Sequence, residues 1–381
     1  MFHIIFNADQ NYMKYVAVLI TNIIHYTDTS KRFADFLEAQ DSDDELLSGG
    51  GGGEQYHFHI ITDSVQSRTL EQFDTLQATL SETYPCRIHT HIIDNKEFES
   101  LPKWGFESAQ LHAAYYRIAL TRFLPEGVQK CLYLDTDMLV LSDLRELFAY
   151  DLRGYIAASS TGGPDSHTHK HPVRRRKRGG GKRMVAFETS FYFCSGLMLV
   201  NVPEWKKHSV ESCAMSFLAC YDTEFADQDA LNFAMRDKVR NLGVQWGILA
   251  YQYIWARYDS NKEYASSYEE AMQGAKIIHC NGPAKAWFGA YERLANFMPN
   301  QYPHKYVWCE MAKLCASFKQ ELIPQMERVE NEGLHEYTLA LARELQGLAG
   351  EMATLQRRVD RIVKPHKAFA RFIKKLFSRS K

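Results

Sequence analysis

Two carboxylates interrupt the most hydrophobic stretch of the chain. The run "KCLYLDTDMLV", residues 130–140, carries Asp135 and Asp137. Buried acids without partners are costly, and residues two apart in a strand share one face. If the strand continues through both positions, the carboxylates face the same way and repel each other unless a cation keeps them ionised. Because hard oxygen ligands suit Mg²⁺ or Mn²⁺, the pair predicts a divalent-metal site. A helix cap or a solvated pair is the alternative for an isolated Asp-x-Asp.

A second polar group follows another apolar run, in "KIIHCNGPAKAW", residues 276–287. A histidine at the end of this strand, His279, can complete a manganese site with the two aspartates. Gly282 would let the backbone approach a phosphate closely, and Lys285 would neutralise its charge. A histidine that is satisfied within the core or a loop is the alternative interpretation.

A third group opens a predicted helix in "ADQDALNF", residues 226–233. Acids such as Asp227 and Asp229 cap helix N-termini and complement the helix dipole. Capping does not explain Gln228, whose neutral amide is suited to a hydrogen bond with a polar ligand.

These groups need a scaffold that brings strand ends together. Strand-like runs alternate with helical patterns: strands at 2–8, 56–62, 87–94 and 130–141, helices at 11–27, 64–84 and 108–124. Such alternation indicates βαβ units and a mainly parallel sheet, so the predicted fold class is α/β. Ligands bind at the carboxyl ends of the strands in these sheets. Asp9 and Asp135 should both emerge at that edge.

Composition narrows the class of protein. Apolar residues make up 45% of the 381 and charged residues 24%, with a net charge of −1, which gives no overall bias toward nucleic acid. The eight cysteines lack paired spacing, which favours reduced structural thiols in a cytosolic protein. We expect no membrane-spanning helix and no secretory signal, because neither pattern occurs in the sequence.

Two internal segments depart from the alternating pattern. The glycine-rich stretch at 48–55 precedes a strand instead of opening a helix, so we predict a surface loop and not a phosphate-binding loop. The basic insertion at 161–184 is also predicted to be a loop. Its charge suits anionic lipid or a phosphorylated glycolipid.

The C-terminal region differs in character. Residues 303–363 are predicted to be helical, with a heptad seam formed by Leu341, Leu345, Leu348, Met352, Leu355, Val359 and Ile362. The seam either packs back on the domain or joins two chains in a coiled coil, which would make a homodimer. Residues 364–381 form a basic amphipathic tail, which favours an anionic membrane surface over a solvated tail.

Six motifs occur in a characteristic order: "FNADQNY", "YYR", "LYLDTD", "FCSGLMLVN", "DQDALN" and "HCNGPAKAW". Together they resemble glycosyltransferase family 8, and within it the bacterial lipopolysaccharide α-galactosyl- and α-glucosyltransferases. The resemblance implies a GT-A domain over residues 1–302, a UDP-glucose or UDP-galactose donor, Mn²⁺ or Mg²⁺ as cofactor, and transfer with retention of configuration. It also implies a lipopolysaccharide core or other glycan as acceptor and a cytoplasmic enzyme attached to the inner face of the membrane.

The resemblance assigns roles to individual residues. Asp9 and Asn11 would contact uracil and ribose, and Arg117 would lie near the donor phosphate and sugar. The implied metal ligands are Asp135, Asp137 and His279, and the implied catalytic residues are Asp227, Gln228 and Lys285. The full set of implied UDP-sugar-binding residues is Asn7, Ala8, Asp9, Asn11, Arg117, Asp135, Thr136, Cys194, Ser195, Gly196, Asp227, Gln228, Gly282 and Lys285.

Departures from the family pattern leave parts of the prediction open. Cys194 stands where the family commonly has Asn, and residues 159–161 replace an aspartate that some members carry in the acceptor pocket. Front-face attack is favoured over double displacement because Gln228 is a poor nucleophile. The alternatives are a self-glucosylating protein like glycogenin, a nucleotidyltransferase, and a non-enzymatic binder of nucleic acid or another anionic polymer. The last is disfavoured because the basic run lacks interleaved aromatic residues.

Overall fold

The computed structural model describes residues 1–38, 53–102, 112–163, 169–176, 182–287, 302–327, 342 and 345–355. The chain divides into two units, Met1–Met326 and Glu327–Lys381. The larger unit holds every element labelled below. In the smaller unit, residues 345–355 are helical.

The described strands, in chain order, are β1 (Phe2–Asn7), β2 (Tyr56–Thr62), β3 (Cys86–Ile92), β4 (Lys130–Leu134), β5 (Met138–Val140), β6 (Ala157–Ser159), β7 (His169–Arg176), β8 (Lys182–Thr189), β9 (Leu197–Asn201), β10 (Tyr221–Asp222), β11 (Val239–Asn241), β12 (Trp246–Leu249) and β13 (Ile277–His279).

The described α-helices are α1 (Met13–His25), α2 (Phe33–Glu38), α3 (Ser67–Ser81), α4 (Arg145–Phe148), α5 (Val202–Lys207), α6 (Val210–Cys220), α7 (Ala226–Ala234), α8 (Ala250–Ala256), α9 (Lys262–Gln273) and α10 (Lys305–Leu314). Short 3₁₀ helices cover Asn95–Phe98 and Ala316–Phe318, and a longer one covers Ala113–Phe123.

The main sheet has seven strands in the order β11-β6-β9-β4-β1-β2-β3. Strands β3, β2, β1 and β4 run parallel, β9 is antiparallel to both β4 and β6, and β6 is parallel to β11. Every residue of β1, β4 and β9 is buried, as expected for strands covered on both faces. The mainly parallel α/β sheet predicted from the sequence is confirmed.

A three-stranded sheet in the order β12-β13-β5 adjoins the carboxyl edge of β4. It corrects the prediction of one strand over residues 130–141, because the chain turns at residues 135–137 between β4 and β5. The turn lets β5 pair with β13 while β4 stays in the main sheet. Asn22 of α1 exchanges two hydrogen bonds with the backbone of Val140, at 2.9 and 2.7 Å, and so fixes β5 against the helix.

The structure also corrects the prediction of a loop for the basic insertion. Residues 169–176 and 182–189 form an antiparallel β-hairpin, and its first strand pairs with β10 as well. The charged composition predicted a loop, but the backbone N–H and C=O groups of a charged segment can still form β-sheet hydrogen bonds. Residues 164–168 and 177–181 lie outside the described residues, as do 39–52, which include most of the predicted glycine-rich loop.

Five histidines stack across one face of β1, β2 and β3: His3, His57, His59, His89 and His91. Nδ1 of His3 lies 2.9 Å from Nε2 of His59, whose Nδ1 lies 3.0 Å from Nε2 of His91. Such N···N contacts require one ring to donate and the other to accept, so the two partners cannot both be protonated. Burial, together with the neighbouring imidazoles, lowers the pKa of His3 to about 4 and that of His59 to about 2.

The histidine stack makes the fold sensitive to acid. The unfolded chain binds protons on His3 and His59 below about pH 6.5, whereas the folded chain binds them only near pH 4 or below, so the free energy of unfolding should fall as pH drops from 6.5 toward 4. Each such histidine contributes a slope of about 1.4 kcal/mol per pH unit. Urea unfolding at pH 6.5, 5.5 and 4.5 should show a shallower slope for His59→Gln. His25→Gln, on the exposed end of α1, is the matched control, and equal slopes for His59→Gln and wild type would contradict the prediction.

Candidate active site

Two aspartates and a histidine meet where β4, β5 and β13 come together. Ligand atoms of Asp135, Asp137 and His279 all lie within 4.8 Å of one another. Nε2 of His279 is 3.1 Å from Asp137 Oδ1 and 3.6 Å from Asp135 Oδ2. The backbone positions them, because the Cys280 N–H donates to the Asp137 carbonyl at 2.8 Å and the Asp135 N–H donates to the Gly196 carbonyl at 2.8 Å.

The charges of the triad are balanced by Lys285 and the histidine itself. The Lys285 ammonium forms an ion pair with Asp137 Oδ2. Burial acts to raise the pKa of Asp137, but Lys285 and His279 outweigh it and hold the pKa well below its usual range. Burial acts to lower the pKa of His279, yet the Asp137 carboxylate raises it to about 10. The Asp137 carboxylate therefore stays ionised because two cations face it.

The donor set of the triad fits a small divalent cation. Two carboxylates and one imidazole are ligands that Mn²⁺ accepts, and Mg²⁺ favours the oxygens. Gly196 gives independent support, since a Cβ there would lie 2.6 Å from His279 Cε1 and 2.7 Å from Asp135 Oδ2. The chain therefore leaves no room for a side chain beside the ligand atoms.

Cys194 contacts the far side of the histidine ring. Its Sγ lies 3.5 Å from Nδ1 of His279, and its backbone N–H donates to the Ser160 carbonyl at 2.8 Å. A ring nitrogen that is held in this way orients the other nitrogen toward a metal. The sequence placed Cys194 at the donor sugar, and the structure places its thiol against a predicted metal ligand.

A buried arginine links Asp135 to the next element of the site. Arg117 Nη2 is 2.8 Å from Asp135 Oδ1, and its Nε is 3.2 Å from Asp227 Oδ2. Its Nη1 also donates to Ser195 Oγ at 3.1 Å. Burial raises the pKa of Asp227, Arg117 opposes the rise, and the result is about 6. The family resemblance implied a position for Arg117 near the donor phosphate and sugar. Its partners within the described residues are the two carboxylates, the Ser195 hydroxyl and the Ala114 carbonyl.

The amide of Gln228 is held at both ends. Its Oε1 accepts the Ser195 N–H at 3.1 Å, and its Nε2 donates to Tyr192 Oη at 3.2 Å. Tyr192 in turn donates to Asp229 Oδ1 at 2.6 Å. Sequence reasoning missed Tyr192, although a hydroxyl in the aromatic run before "CSG" was a usable signal. It also treated Asp229 as a helix-capping acid, and Asp229 does accept the Glu224 N–H at 2.8 Å.

The residues after β1 form a separate group at the same edge of the sheet. Ile5 of β1 pairs with Tyr133 of β4, so Asn7 and Asp135 follow at equivalent positions. Asn7 is buried and donates to the Ala113 carbonyl at 3.1 Å, but its Oδ1 has no hydrogen-bond partner among the described residues. Asp9 Oδ1 accepts the Tyr12 N–H at 2.9 Å.

The other predicted positions lie in turns. Ala8 is buried, with its N–H donating to the Ile61 carbonyl at 3.1 Å, and Asn11 is exposed. Thr136 is buried in the turn between Asp135 and Asp137. Gly282 has a φ of 56°, a left-handed conformation that favours glycine.

The chain is similar in sequence to known bacterial proteins. The chain is 28% identical over 180 residues to General stress protein A of Bacillus subtilis, covering 46% of this chain and 59% of that protein. It is 25% identical over 247 residues to Lipopolysaccharide 1,3-galactosyltransferase of Salmonella typhimurium, covering 61% of this chain and 65% of that protein. The matches thus span about three fifths of the length of these curated relatives.

Solved structures share the fold. The apo structure of WbbM, a bifunctional glycosyltransferase, matches with a TM-score of 0.57 at 16% identity, over 85% of this chain and 51% of that one. The α/β sheet with a carboxylate–imidazole triad at its strand ends is a GT-A fold. The chain belongs to Glycosyl transferase family 8, whose sequence profile matches residues 3–290. The fold and family predicted from the motifs are confirmed.

Gly196 offers a test of the metal site that does not depend on turnover. We expect Gly196→Ala to weaken Mn²⁺ binding in the presence of UDP by about tenfold or more, because the new methyl group would displace His279 or Asp135. Gly274→Ala is the control, since its nearest neighbouring atom would be 3.9 Å away. Titration calorimetry measures both affinities. Wild-type Mn²⁺ affinity in a folded Gly196→Ala protein would contradict the assignment.

Proposed function

We propose that this protein is a metal-dependent, retaining hexosyltransferase that moves glucose or galactose from a UDP-sugar to a glycan. The convergence of Asp135, Asp137 and His279 with the Lys285 ammonium carries the proposal. Such a set combines ligands for a divalent cation with a cation that can meet a diphosphate. Relatives whose names describe lipopolysaccharide galactosyl and glucosyl transfer support these sugars and this acceptor class.

Asp135, Asp137 and His279 would hold Mn²⁺ or Mg²⁺. The bound cation would offset the negative charge that develops on the leaving UDP. Lys285 now balances Asp137 and would exchange this carboxylate for a donor phosphate. Gly282, in its left-handed conformation, would allow the backbone to approach the same phosphate closely.

The group after β1 would bind the nucleoside. Asn7 Oδ1 is a buried acceptor that lacks a partner among the described residues, and a buried acceptor is costly when left unpaired. A donor group of the uracil or ribose would satisfy it. Ala8, Asp9 and Asn11 would complete this part of the donor site, as the family resemblance implies.

The chemical step would proceed by front-face attack. The acceptor hydroxyl would attack the anomeric carbon on the face that UDP leaves, and the departing phosphate would take the hydroxyl proton. Ser195 and Tyr192 hold the two ends of the Gln228 amide in one orientation. An amide fixed in this way would position the donor sugar. Asp227 and Asp229 flank Gln228 in sequence. Arg117 and Ser195 hold Asp227 Oδ2, and Tyr192 and the Glu224 N–H hold the Asp229 carboxylate, which disfavours a double displacement through either acid.

Donor hydrolysis tests the proposal. In the presence of Mn²⁺ the protein should release UDP from UDP-glucose or UDP-galactose, and a chelator should stop the release. Asp137→Asn should lower kcat/KM by roughly 100-fold, because it removes a metal ligand and the partner of Lys285. Asp151→Asn, which breaks only a surface ion pair with Arg153, should leave turnover unchanged.

Two results would defeat the proposal. One is UDP binding that is equally tight with and without Mn²⁺, and the other is full turnover by Asp137→Asn. Release of pyrophosphate instead of UDP would indicate the nucleotidyltransferase. A mass increase of the protein on incubation with UDP-glucose would indicate the self-glucosylating alternative.

Of the two alternatives for the heptad seam within residues 303–363, packing back on the domain or joining two chains, we favour the joining of two chains. Within the described helix 345–355, the heptad positions Leu345, Leu348, Met352 and Leu355 are each more than half exposed. This exposure supports pairing with a second chain. The proposal that residues 364–381 bind an anionic membrane rests on the sequence, because they lie outside the described residues. Within the described part of the chain, no helix could cross a bilayer.

Substitution of the seam tests the pairing. Leu348→Asp combined with Met352→Asp should convert a dimer into a monomer in light scattering, because the charges would be buried between two helices. Gly350→Ala, on the same helix outside the seam, is the control.

Deletion of residues 364–381 should abolish sedimentation with phosphatidylglycerol vesicles. A monomeric wild-type protein, or vesicle binding that survives the deletion, would refute the respective proposal.

A further inference from the structure

An aromatic pair on α8 consists of Trp255, which is exposed, and Tyr251, which is half-buried. Tyr251 and Trp255 are four residues apart on this helix and therefore share one face, with ring centroids 5.9 Å apart at an interplanar angle of 88°. Trp255 is 47% exposed. Large aromatic side chains are usually well buried, and exposed apolar side chains that lie side by side can form a binding surface. We call these two side chains the α8 platform.

The strand before α8 places the platform beside the metal triad. Leu249, the last residue of β12, pairs with His279 of β13, and His279 pairs with Met138, the residue after Asp137. These residues form one row across the three-stranded sheet. Helix α8 therefore begins one residue after a position that directly neighbours a predicted metal ligand.

Two hydrogen bonds fix the helix to the turn that carries Gly282. The Tyr251 N–H donates to Asn281 Oδ1 at 3.1 Å, and Asn281 Nδ2 donates to Gln252 Oε1 at 3.0 Å. On the other side, the Leu249 N–H donates to the Gly162 carbonyl at 2.8 Å. Gly162 directly follows residues 159–161, which correspond to an acceptor-pocket position in the family resemblance. The platform is thus anchored both to the proposed diphosphate turn and to the proposed acceptor segment.

The α8 platform and the residues proposed to bind the nucleoside follow strands of different sheets. Asn7 and Asp9 follow β1 in the main sheet, whereas α8 follows the outer strand of the three-stranded sheet. A ligand on the platform would therefore be other than the nucleoside. Pyranose rings present an apolar face of C–H groups, which packs against the electron-rich face of an aromatic ring.

We propose that the α8 platform is an acceptor subsite on which a hexose ring of the glycan acceptor stacks. This inference rests on the proposed function. Trp255 follows Leu249 by six residues, which corresponds to about 9 Å of helix. The indole would therefore contact a sugar beyond the one that receives the hexose, so the enzyme would prefer an oligosaccharide acceptor to a single sugar.

Affinity for oligosaccharide tests the subsite directly. Saturation-transfer NMR in the presence of UDP and Mg²⁺ can measure binding of delipidated lipopolysaccharide core oligosaccharide. We expect Trp255→Ala to weaken this binding by about tenfold, the loss expected for an aromatic stacking contact, and Trp255→Phe to restore most of it. Tyr155→Ala is the matched control, because Tyr155 is also a partly exposed aromatic residue. It precedes β6 and lies at the amino edge of the main sheet, opposite the carboxyl edge that carries the candidate site.

Several outcomes would overturn the subsite. These are absence of oligosaccharide binding by the wild type, unchanged affinity in Trp255→Ala, or an equal loss in Tyr155→Ala. Loss of sedimentation with phosphatidylglycerol vesicles in Trp255→Ala, with oligosaccharide affinity retained, would assign the platform to a membrane instead. The proposed function fails separately, when the wild type releases no UDP from any UDP-sugar with Mn²⁺.

Discussion

The ion pairs of Arg117 are the interaction on which the site depends. Asp135 and Asp227 belong to different elements, and both are largely withdrawn from water. Two such acids would repel each other and resist burial without a shared cation. The guanidinium satisfies both carboxylates and also reaches Ser195. Because Ser195 in turn contacts Gln228, one buried cation connects the metal-binding turn to the start of α7.

This network also means that the site is organised before a ligand arrives. The side chains of Gln228 and Cys194 already have partners within the protein. Holding functional groups with a surrounding layer of hydrogen bonds reduces the reorganisation that binding requires. Each predicted metal ligand also has a partner within the protein, since Lys285 pairs with Asp137, Arg117 pairs with Asp135, and Cys194 contacts His279. Binding of a cation and a diphosphate would therefore rearrange the ion pairs of the triad, including those with Lys285 and Arg117, and leave the hydrogen bonds of Gln228 in place.

Much of the site could be predicted from strand ends alone. Polar residues at the ends of apolar runs identified Asp135, which follows β4, and His279, which ends β13, and Asp137 was identified by its spacing from Asp135. The rule for parallel strand ends accounts for Asp135, but β13 lies in the three-stranded sheet. The turn at 135–137 could not be predicted, since it depends on β5 pairing with a strand far away in the sequence. The partner of Cys194 was missed for the same reason. The prediction of a loop was wrong for the hairpin within residues 169–189, because the charge of a segment says little about whether its backbone forms β-sheet hydrogen bonds.

The pairing of β5 with β13 determines when the site can exist during folding. Asp137 and His279 are 142 positions apart, the difference of their residue numbers, and only this pairing joins them. Closing so long a loop is entropically slow compared with local helix formation. A nascent chain must therefore extend through β13 before the three proposed metal ligands can come together, and a product that terminates earlier would lack His279.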